Sequence, residues 1–175
     1  MNVLAFGASS SKHSINKMLA RYTAGLIDGA TVDVVDLNDY ELPLFSVDKE
    51  AELGQPELAK AFLEKIAGSD LVVISFAEHN GSYSAAFKNL FDWCSRINNK
   101  VYQGKPLFLL ATSPGPGGAQ NVLSLAENAS PHFDGHVKAA ISVPSFYDNF
   151  DVESGKIMNH EINEKLIACT KSIIE

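Results

Sequence analysis

The sequence predicts an α/β protein with one doubly wound sheet of five parallel strands in the order 2-1-3-4-5. Short apolar runs alternate with stretches of helical spacing along the chain, as in repeated β-α units. The runs are mostly continuous rather than alternating, which is typical of strands covered on both faces. No internal repeat, linker or shift in composition marks a second domain, so residues 1–175 are expected to form a single domain.

The apolar runs predict five strands, in chain order Val3–Phe6, Val32–Val35, Leu71–Phe76, Leu107–Ala111 and Val137–Val143. Between and after them, apolar residues recur at intervals of three and four and predict helices at Ser14–Ile27, Pro56–Ala67, Ser84–Ile97, Gly118–Asn128 and Asn159–Ile174. Right-handed crossovers favour a ligand site beyond the carboxyl ends of strands one and three, where the winding reverses. This rule selects the loops after Phe6 and Phe76.

The composition limits the partners and the location of the chain. Its 46% hydrophobic and 20% charged residues are ordinary for a globular protein. A net charge of −7 without a basic run argues against binding to nucleic acid or to an anionic membrane surface. The sequence has neither an apolar run long enough to span a membrane nor a signal peptide, so a cytoplasmic protein is expected. Cys94 and Cys169 are expected to be small buried residues rather than a disulfide.

A hydroxyl-rich loop joins the first strand to the first helix, with the sequence Gly7-Ala8-Ser9-Ser10-Ser11-Lys12-His13-Ser14-Ile15-Asn16. Hydroxyls, free backbone N–H groups and the helix dipole can bind a phosphate here without a metal. The alternative is a hydrophilic loop in which Ser14 only caps the helix. A P-loop is disfavoured, because Lys12 follows Ser11 rather than a second glycine.

Other catalytic patterns are missing from the sequence. There is no G-x-G-x-x-G dinucleotide fingerprint after the first strand and no G-x-S-x-G nucleophile elbow. The five histidines include no H-E-x-x-H pattern, and the spacing of His132 and His136 fits a helix face or a loop better than a metal site. We therefore expect no metal.

A second loop follows the third strand and resembles a known family signature. It reads Glu78-His79-Asn80-Gly81-Ser82-Tyr83-Ser84 and leads into Ala85-Ala86-Phe87-Lys88-Asn89-Leu90-Phe91-Asp92-Trp93. This stretch resembles the P-E-Y-N-G-S-x-P-G-x-L-K-N-x-x-D-W signature of the flavodoxin-like NAD(P)H-dependent FMN reductases, which include quinone, chromate and azo-dye reductases. The first loop resembles that family's G-S-x-R-x-x-S-x-N phosphate loop through Ser9, Ser14 and Asn16. A third segment, Ser113-Pro114-Gly115-Pro116-Gly117-Gly118-Ala119, resembles its turn after strand four.

The resemblance implies a flavodoxin-like fold with FMN as cofactor and NADPH or NADH as co-substrate. Reducing equivalents would pass through the flavin to quinones, free flavin, azo compounds or metal oxyanions, with no catalytic side chain. The phosphate would lie at the first loop, and the isoalloxazine ring against backbone N–H groups of the second and third loops. The implied cofactor-binding residues are Ser9, Ser11, Ser14, Ile15, Asn16, Glu78, His79, Asn80, Gly81, Ser82, Tyr83, Ser113, Pro114, Gly115, Gly117 and Gly118. Without a flavin, the same glycines would merely form a tight turn.

The sequence departs from the family pattern at several positions. Ser11 stands where the family has Arg, and His79 stands where it has Tyr. Losing the Arg removes a charge-assisted contact to phosphate, which Lys12 or His13 could replace. His79 is expected either beside the ring or facing the solvent. Ala77 and Ser84-Ala85 replace prolines and a glycine of the signature.

Two further segments bear on assembly. The connection from Asn38 to Gln55 is too long to be idle, and its apolar centre predicts a packed lid or a partner contact. On the 84–97 helix, Trp93 and Ile97 lie to one side of the inward apolar stripe and widen it. This excess predicts a subunit contact, unless Trp93 packs under a loop of its own chain. The resemblance to a family that usually dimerises implies a homodimer or a dimer of dimers.

The sequence leaves two rival functions open. A flavodoxin-type electron carrier would bind the same cofactor and dock a protein partner, which the net charge of −7 suits. Against it stand the Asn80-Gly81-Ser82 loop and the absence of a T-x-T-G-x-T phosphate loop. The other rival is a flavin-free binding or regulatory domain, which the missing Arg favours.

Overall fold

The computed structural model describes residues 1–174. Besides two short 3-10 helices, Leu37–Tyr40 and Ser130–Phe133, the chain forms seven α-helices and seven β-strands within this range. In chain order these are β1 (Asn2–Ala8), α1 (Ile15–Gly25), β2 (Thr31–Val35), α2 (Val47–Leu53), α3 (Glu57–Ala67), β3 (Leu71–Phe76), α4 (Ala85–Ile97), β4 (Pro106–Thr112), α5 (Gln120–Ala129), β5 (His136–Val143), α6 (Phe146–Asn149), β6 (Phe150–Asp151), β7 (Lys156–Ile157) and α7 (His160–Ile174).

The main sheet has five parallel strands in the order β2-β1-β3-β4-β5, which confirms the predicted topology. β1 lies between β2 and β3, so Val3 pairs with Val32 on one side and with Leu71 on the other. At the carboxyl end, Ala8 is opposite Phe76. The loops after these two strands therefore begin next to each other.

Alternate side chains of the central strands enter two separate hydrophobic cores. From β1, Leu4 and Phe6 pack on the face covered by α3, α4 and α5. Val3 and Ala5 pack on the opposite face with α1 and α7. β1, β3 and β4 are almost fully buried, as their continuous apolar runs predict, whereas the edge strands β2 and β5 are partly exposed. The expectation of cover on both faces is therefore right for the central strands and too strong for the edges.

All five predicted helices are present, and three of the predicted starts coincide with N-cap residues. Ser14, Pro56 and Ser84 are the N-caps of α1, α3 and α4. The sequence analysis missed α2, α6, the 3-10 helices and the antiparallel β6-β7 hairpin, all of which are short. Such elements carry too few residues to show a period in the sequence.

The long connection before α3 is a lid packed on α4 of the same chain. The Asn89 side chain donates to the carbonyls of Leu42 and Pro43 at 3.0 and 3.1 Å and accepts from the Phe45 N–H at 2.8 Å. The Trp93 indole donates to the Pro43 carbonyl at 2.8 Å, and Trp93 is only 1% exposed. The expected subunit contact of Trp93 is therefore wrong, and the alternative, that this residue packs under a loop of its own chain, is confirmed.

Candidate functional site

Three loops at the carboxyl ends of β1, β3 and β4 meet in one cleft of about 220 Å³. We call them loop one (residues 9–14), loop two (77–84) and loop three (113–119). Ten of the lining residues come from the ends of these strands and from loops one to three, and the rest from the start of α1 and from α6. They are Ser9, Ser11, His13, Ser14, Ile15, Asn16, Ala77, Glu78, His79, Thr112, Ser113, Pro114 and Tyr147.

Loop one brings hydroxyl groups to the amino end of α1. Ser14 caps the helix by accepting from the Lys17 N–H at 3.1 Å, and the Ser9 hydroxyl accepts from the Ser11 N–H at 3.1 Å. The helix approaches β1 very closely, since a Cβ on Gly7 would lie 2.4 Å from the backbone nitrogen of Lys17. Glycine at position 7 therefore lets the positive end of the α1 dipole reach the carboxyl edge of the sheet.

The Asn16 side chain lies beneath loop one and joins two strands. Its Oδ1 accepts from the Ser75 hydroxyl at 2.7 Å and from the Thr112 N–H at 3.1 Å. Its Nδ2 donates to the Thr112 carbonyl at 3.3 Å, and the residue is 3% exposed. The amide thus fixes α1 to β3 and β4, and the Asn16 backbone N–H lies in the first turn of α1, where it can donate to a ligand.

Loop two forms a tight two-residue hairpin. Asn80 and Gly81 both have positive φ, 53° and 79°, and His79 and Ser82 exchange backbone hydrogen bonds of 3.0 and 3.2 Å around them. Asn-Gly is the sequence most typical of such a type I′ turn, so this local signal could have predicted the hairpin. The turn projects Asn80, Gly81 and Ser82 beyond the residues that line the cleft.

Tyr83 points away from the cleft. Its ring packs within 5.6 Å of the Phe76 and Phe87 ring centroids and lines a separate apolar cavity beside α4. Burial raises the pKa of its hydroxyl to about 12. The sequence pattern indicated a ring-lining residue, whereas this side chain anchors the end of loop two in the core.

Loop three is held against the start of α6. The N–H groups of Ser145 and Phe146 donate to the carbonyls of Gly115 and Ser113 at 2.9 and 3.0 Å. This contact brings Tyr147, which the sequence analysis missed, to the rim of the cleft, where it is 59% exposed. Ser113 and Pro114 line the cleft, while Gly115, Gly117 and Gly118 lie outside its lining.

The lysine and histidine side chains near loop one have different surroundings. Lys17 forms an ion pair with Asp36. Burial raises the pKa of the Asp36 carboxyl, but hydrogen bonds from Lys17 and Asn38 lower it by more, so the pKa lies below its ordinary value. His13 and His79 line the cleft, whereas Lys12 does not. Of the two proposed replacements for the family arginine, the structure brings His13 into the site.

Among residues 1–174, no group of three or more His, Cys, Asp or Glu side chains is arranged to hold a metal ion. Within the same range, no helix is long and apolar enough to cross a membrane. Cys94 is buried and Cys169 is partly buried, and both carry free thiols.

Comparison with known proteins gives consistent matches along the chain. An NADPH:quinone oxidoreductase of Arabidopsis thaliana is 28% identical over 173 residues, covering 95% of this chain and 86% of the relative. An NAD(P)H-dependent FMN reductase of Pseudomonas aeruginosa is 26% identical over 167 residues, covering 94% and 88%. The solved structure of the flavoenzyme FerB, an NAD(P)H:(acceptor) oxidoreductase from Paracoccus denitrificans, superimposes with a TM-score of 0.75 at 23% identity over 98% of this chain and 93% of that one. At this identity the structural likeness shows the flavodoxin-like fold alone.

The family described as NADPH-dependent FMN reductase matches residues 1–148 of the 175. This match favours the reductase over the electron-carrier alternative. The chain therefore belongs to the NADPH-dependent FMN reductase family, oxidoreductases that use FMN with NAD(P)H as electron donor.

Proposed function

We propose that this chain holds FMN in the three-loop cleft and passes reducing equivalents from NADPH or NADH through it to a small acceptor of the quinone class. The observation that carries the proposal is the meeting of three loops in one cleft at the amino end of α1. A relative named as a quinone oxidoreductase supports the acceptor class. In this proposal residues 1–175 act as one FMN-binding domain.

The donor set of loop one suits a phosphate monoester. Ser9, Ser11 and Ser14 bring three hydroxyl groups to the cleft. The N–H groups of Ile15 and Asn16 lie in the first turn of α1, where no carbonyl of the helix can accept from them, so they can donate to a phosphate. No carboxylate lining the cleft is left free there, because the Glu78 side chain is bonded to α5. His13 adds an imidazole to the cleft and could replace the contact that is lost with Ser11 in the place of the family arginine.

Loops two and three offer backbone donors to the edge of the isoalloxazine ring. The N–H groups of Asn80, Gly81, Gly115 and Gly117 form no hydrogen bond with another residue in the range 1–174. Groups of this kind can stabilise the negative charge that develops when the ring is reduced. Bound FMN would supply the hydride chemistry, while the chain supplies binding, orientation and fixed dipoles.

We also propose a homodimer in the cytoplasm. Leu44 and Val47, on the packed lid, are 79% and 70% exposed and form an apolar surface that suits a second subunit. The free thiols of Cys94 and Cys169 fit a reducing compartment.

The phosphate assignment is tested by titrating FMN fluorescence with the purified chain. Replacing both Ser9 and Ser14 by Ala should weaken FMN binding at least tenfold, since a hydrogen bond to a charged group contributes about 1.5–3 kcal/mol. Riboflavin, which has no phosphate, should bind parent and variant equally. Ser10→Ala is the matched control, because Ser10 belongs to loop one but does not line the cleft. Parental FMN affinity in a folded double variant would refute the assignment.

A further inference from the structure

The Glu78 side chain crosses from loop two to α5. Its Oε2 accepts from the Val122 N–H at 2.9 Å, and its Oε1 accepts from the Asn121 side chain at 3.2 Å. These contacts span 43 and 44 residues of sequence. Glu78 thus lies at the cleft by its position in the chain, while its carboxylate binds the beginning of a helix.

The amino end of α5 has no cap of its own. The residue before the helix, Ala119, adopts a left-handed conformation with φ 58° and ψ 37° and has no side-chain oxygen to accept from the helix. The first N–H groups of a helix need acceptors, and a carboxylate there is favoured by the helix dipole. Glu78 therefore does for α5 what a serine N-cap does for α1 and α4.

The same contact joins the two loops that would flank the isoalloxazine ring. Loop three runs directly into α5, so its position follows the first turn of that helix. Among the hydrogen bonds of residues 1–174, those of Glu78 are the ones that connect residues 77–84 to residues 113–122. On its other side, loop three is tied to β5 by the Ser142 hydroxyl, which donates to the Gly118 carbonyl at 2.7 Å.

We propose that Glu78 is a positioning residue that sets the separation of loops two and three, and hence the slot in which the flavin ring lies. This inference rests on the proposed function, because it takes the cleft as the FMN site. The carboxylate need not touch the flavin, and bonding to α5 keeps its negative charge satisfied away from the ring edge. A displacement of reactants by about 1 Å can cost a hundredfold in rate, so loose loops would affect the reaction as well as binding.

The test compares Glu78→Ala and Glu78→Gln with Ser46→Ala. Ser46 caps α2 through the Lys49 N–H at 3.0 Å, on the lid and outside the cleft lining, so its loss matches the capping defect without touching the loops. Each variant is examined for FMN affinity, for the rate of flavin reduction at saturating FMN and for urea unfolding of the flavin-free protein.

We expect Glu78→Ala to bind FMN about tenfold more weakly, and we expect its bound flavin to be reduced more slowly at saturating FMN. Ser46→Ala should lose a similar amount of stability to urea but keep the parental FMN affinity and the parental rate of flavin reduction. Glu78→Gln should recover most of the affinity, because an amide oxygen can still accept from the Val122 N–H. If Glu78→Ala does not fold, Glu78→Asp takes its place, since its shorter side chain should break the bridge.

Three results would overturn the inference. If folded Glu78→Ala binds FMN with parental affinity and its flavin is reduced at the parental rate, the inference about Glu78 is refuted, while the proposed function stands. Equal losses of FMN affinity in Ser46→Ala would reduce the effect to global stability. Failure of the parent chain to bind FMN would refute the proposed function and this inference together.

Discussion

Gly117 and Gly118 are neighbours in loop three, yet the structure predicts different consequences of adding one methyl group to each. Gly118 has a φ of 58°, and a Cβ there would lie 2.3 Å from the Ser142 hydroxyl oxygen and 3.1 Å from the Pro144 backbone. A Cβ on Gly117 would meet nothing within 4 Å, and its φ is outside the left-handed region. Gly118→Ala should therefore perturb folding, and Gly117→Ala should not.

The expected magnitudes follow from these contacts. A left-handed conformation costs a residue with a Cβ about 1–2 kcal/mol. The clash also displaces the Ser142 hydroxyl from the Gly118 carbonyl, which costs about 1 kcal/mol more. Pro144 must shift as well, so Gly118→Ala should lower the free energy of unfolding by about 2–4 kcal/mol. Gly117→Ala should remain within about 0.5 kcal/mol of the parent.

For FMN affinity we expect the larger effect at Gly117, whereas for stability we expect it at Gly118. If the ring edge approaches the Gly117 N–H, a side chain at this position occupies the approach. Gly117→Ala should then weaken FMN binding about tenfold, and Gly117→Val more, with no change in unfolding. The assays are urea unfolding of the flavin-free protein and FMN fluorescence titration. Parental stability of Gly118→Ala would refute the steric reasoning, and parental FMN binding by Gly117→Val would remove loop three from the site.

Two substitutions and one alkylation experiment test separate parts of the structure. Asn16→Ala should lower the free energy of unfolding by about 2–4 kcal/mol in urea, because Ser75 and the Thr112 N–H lose a buried acceptor; parental stability with lost FMN binding would return the side chain to the phosphate. Asp36→Asn should cost about 1 kcal/mol at pH 7. The folded-state pKa of Asp36 is lowered, so this stabilisation is present above its unfolded pKa and lost as pH falls through the folded one; an equal deficit at pH 7 and at about pH 2 would contradict the ion pair. Burial raises the pKa of Cys94 to about 12, so its thiol should resist iodoacetamide at pH 8 in the folded chain, and mass spectrometry showing alkylation of native Cys94 would contradict its burial.

The strands and the place of the cleft could be predicted because they depend on local patterns and on one topological rule. Continuous apolar runs marked the central strands, and Ser14 and Ser84 marked the beginnings of α1 and α4. The right-handed crossover then placed the cleft at the ends of β1 and β3. These features need no knowledge of distant contacts.

The directions of the side chains in the motifs could not be predicted in this way. Asn16 finds its partners 59 and 96 residues further along the chain, and Glu78 finds its partners on α5. A motif indicates which segments lie near a ligand but does not determine which atoms face it. Tyr83 illustrates the point, because the neighbouring Phe76 and Phe87 draw its ring into the core. Nothing local shows that the lid covers Trp93, so the sequence alone leaves open both a subunit contact and packing under a loop of its own chain.

The proposed reaction is tested most directly by following the absorbance of the FMN-loaded protein during anaerobic mixing with NADPH or NADH and then with a benzoquinone. We predict that at least one nucleotide bleaches the bound flavin faster than it bleaches free FMN, and that the quinone restores the oxidised spectrum. Hydride transfer to the flavin requires no acceptor, so the two steps should be separable. A bound flavin that stays oxidised with both nucleotides, or that the quinone does not reoxidise, would contradict the proposed function.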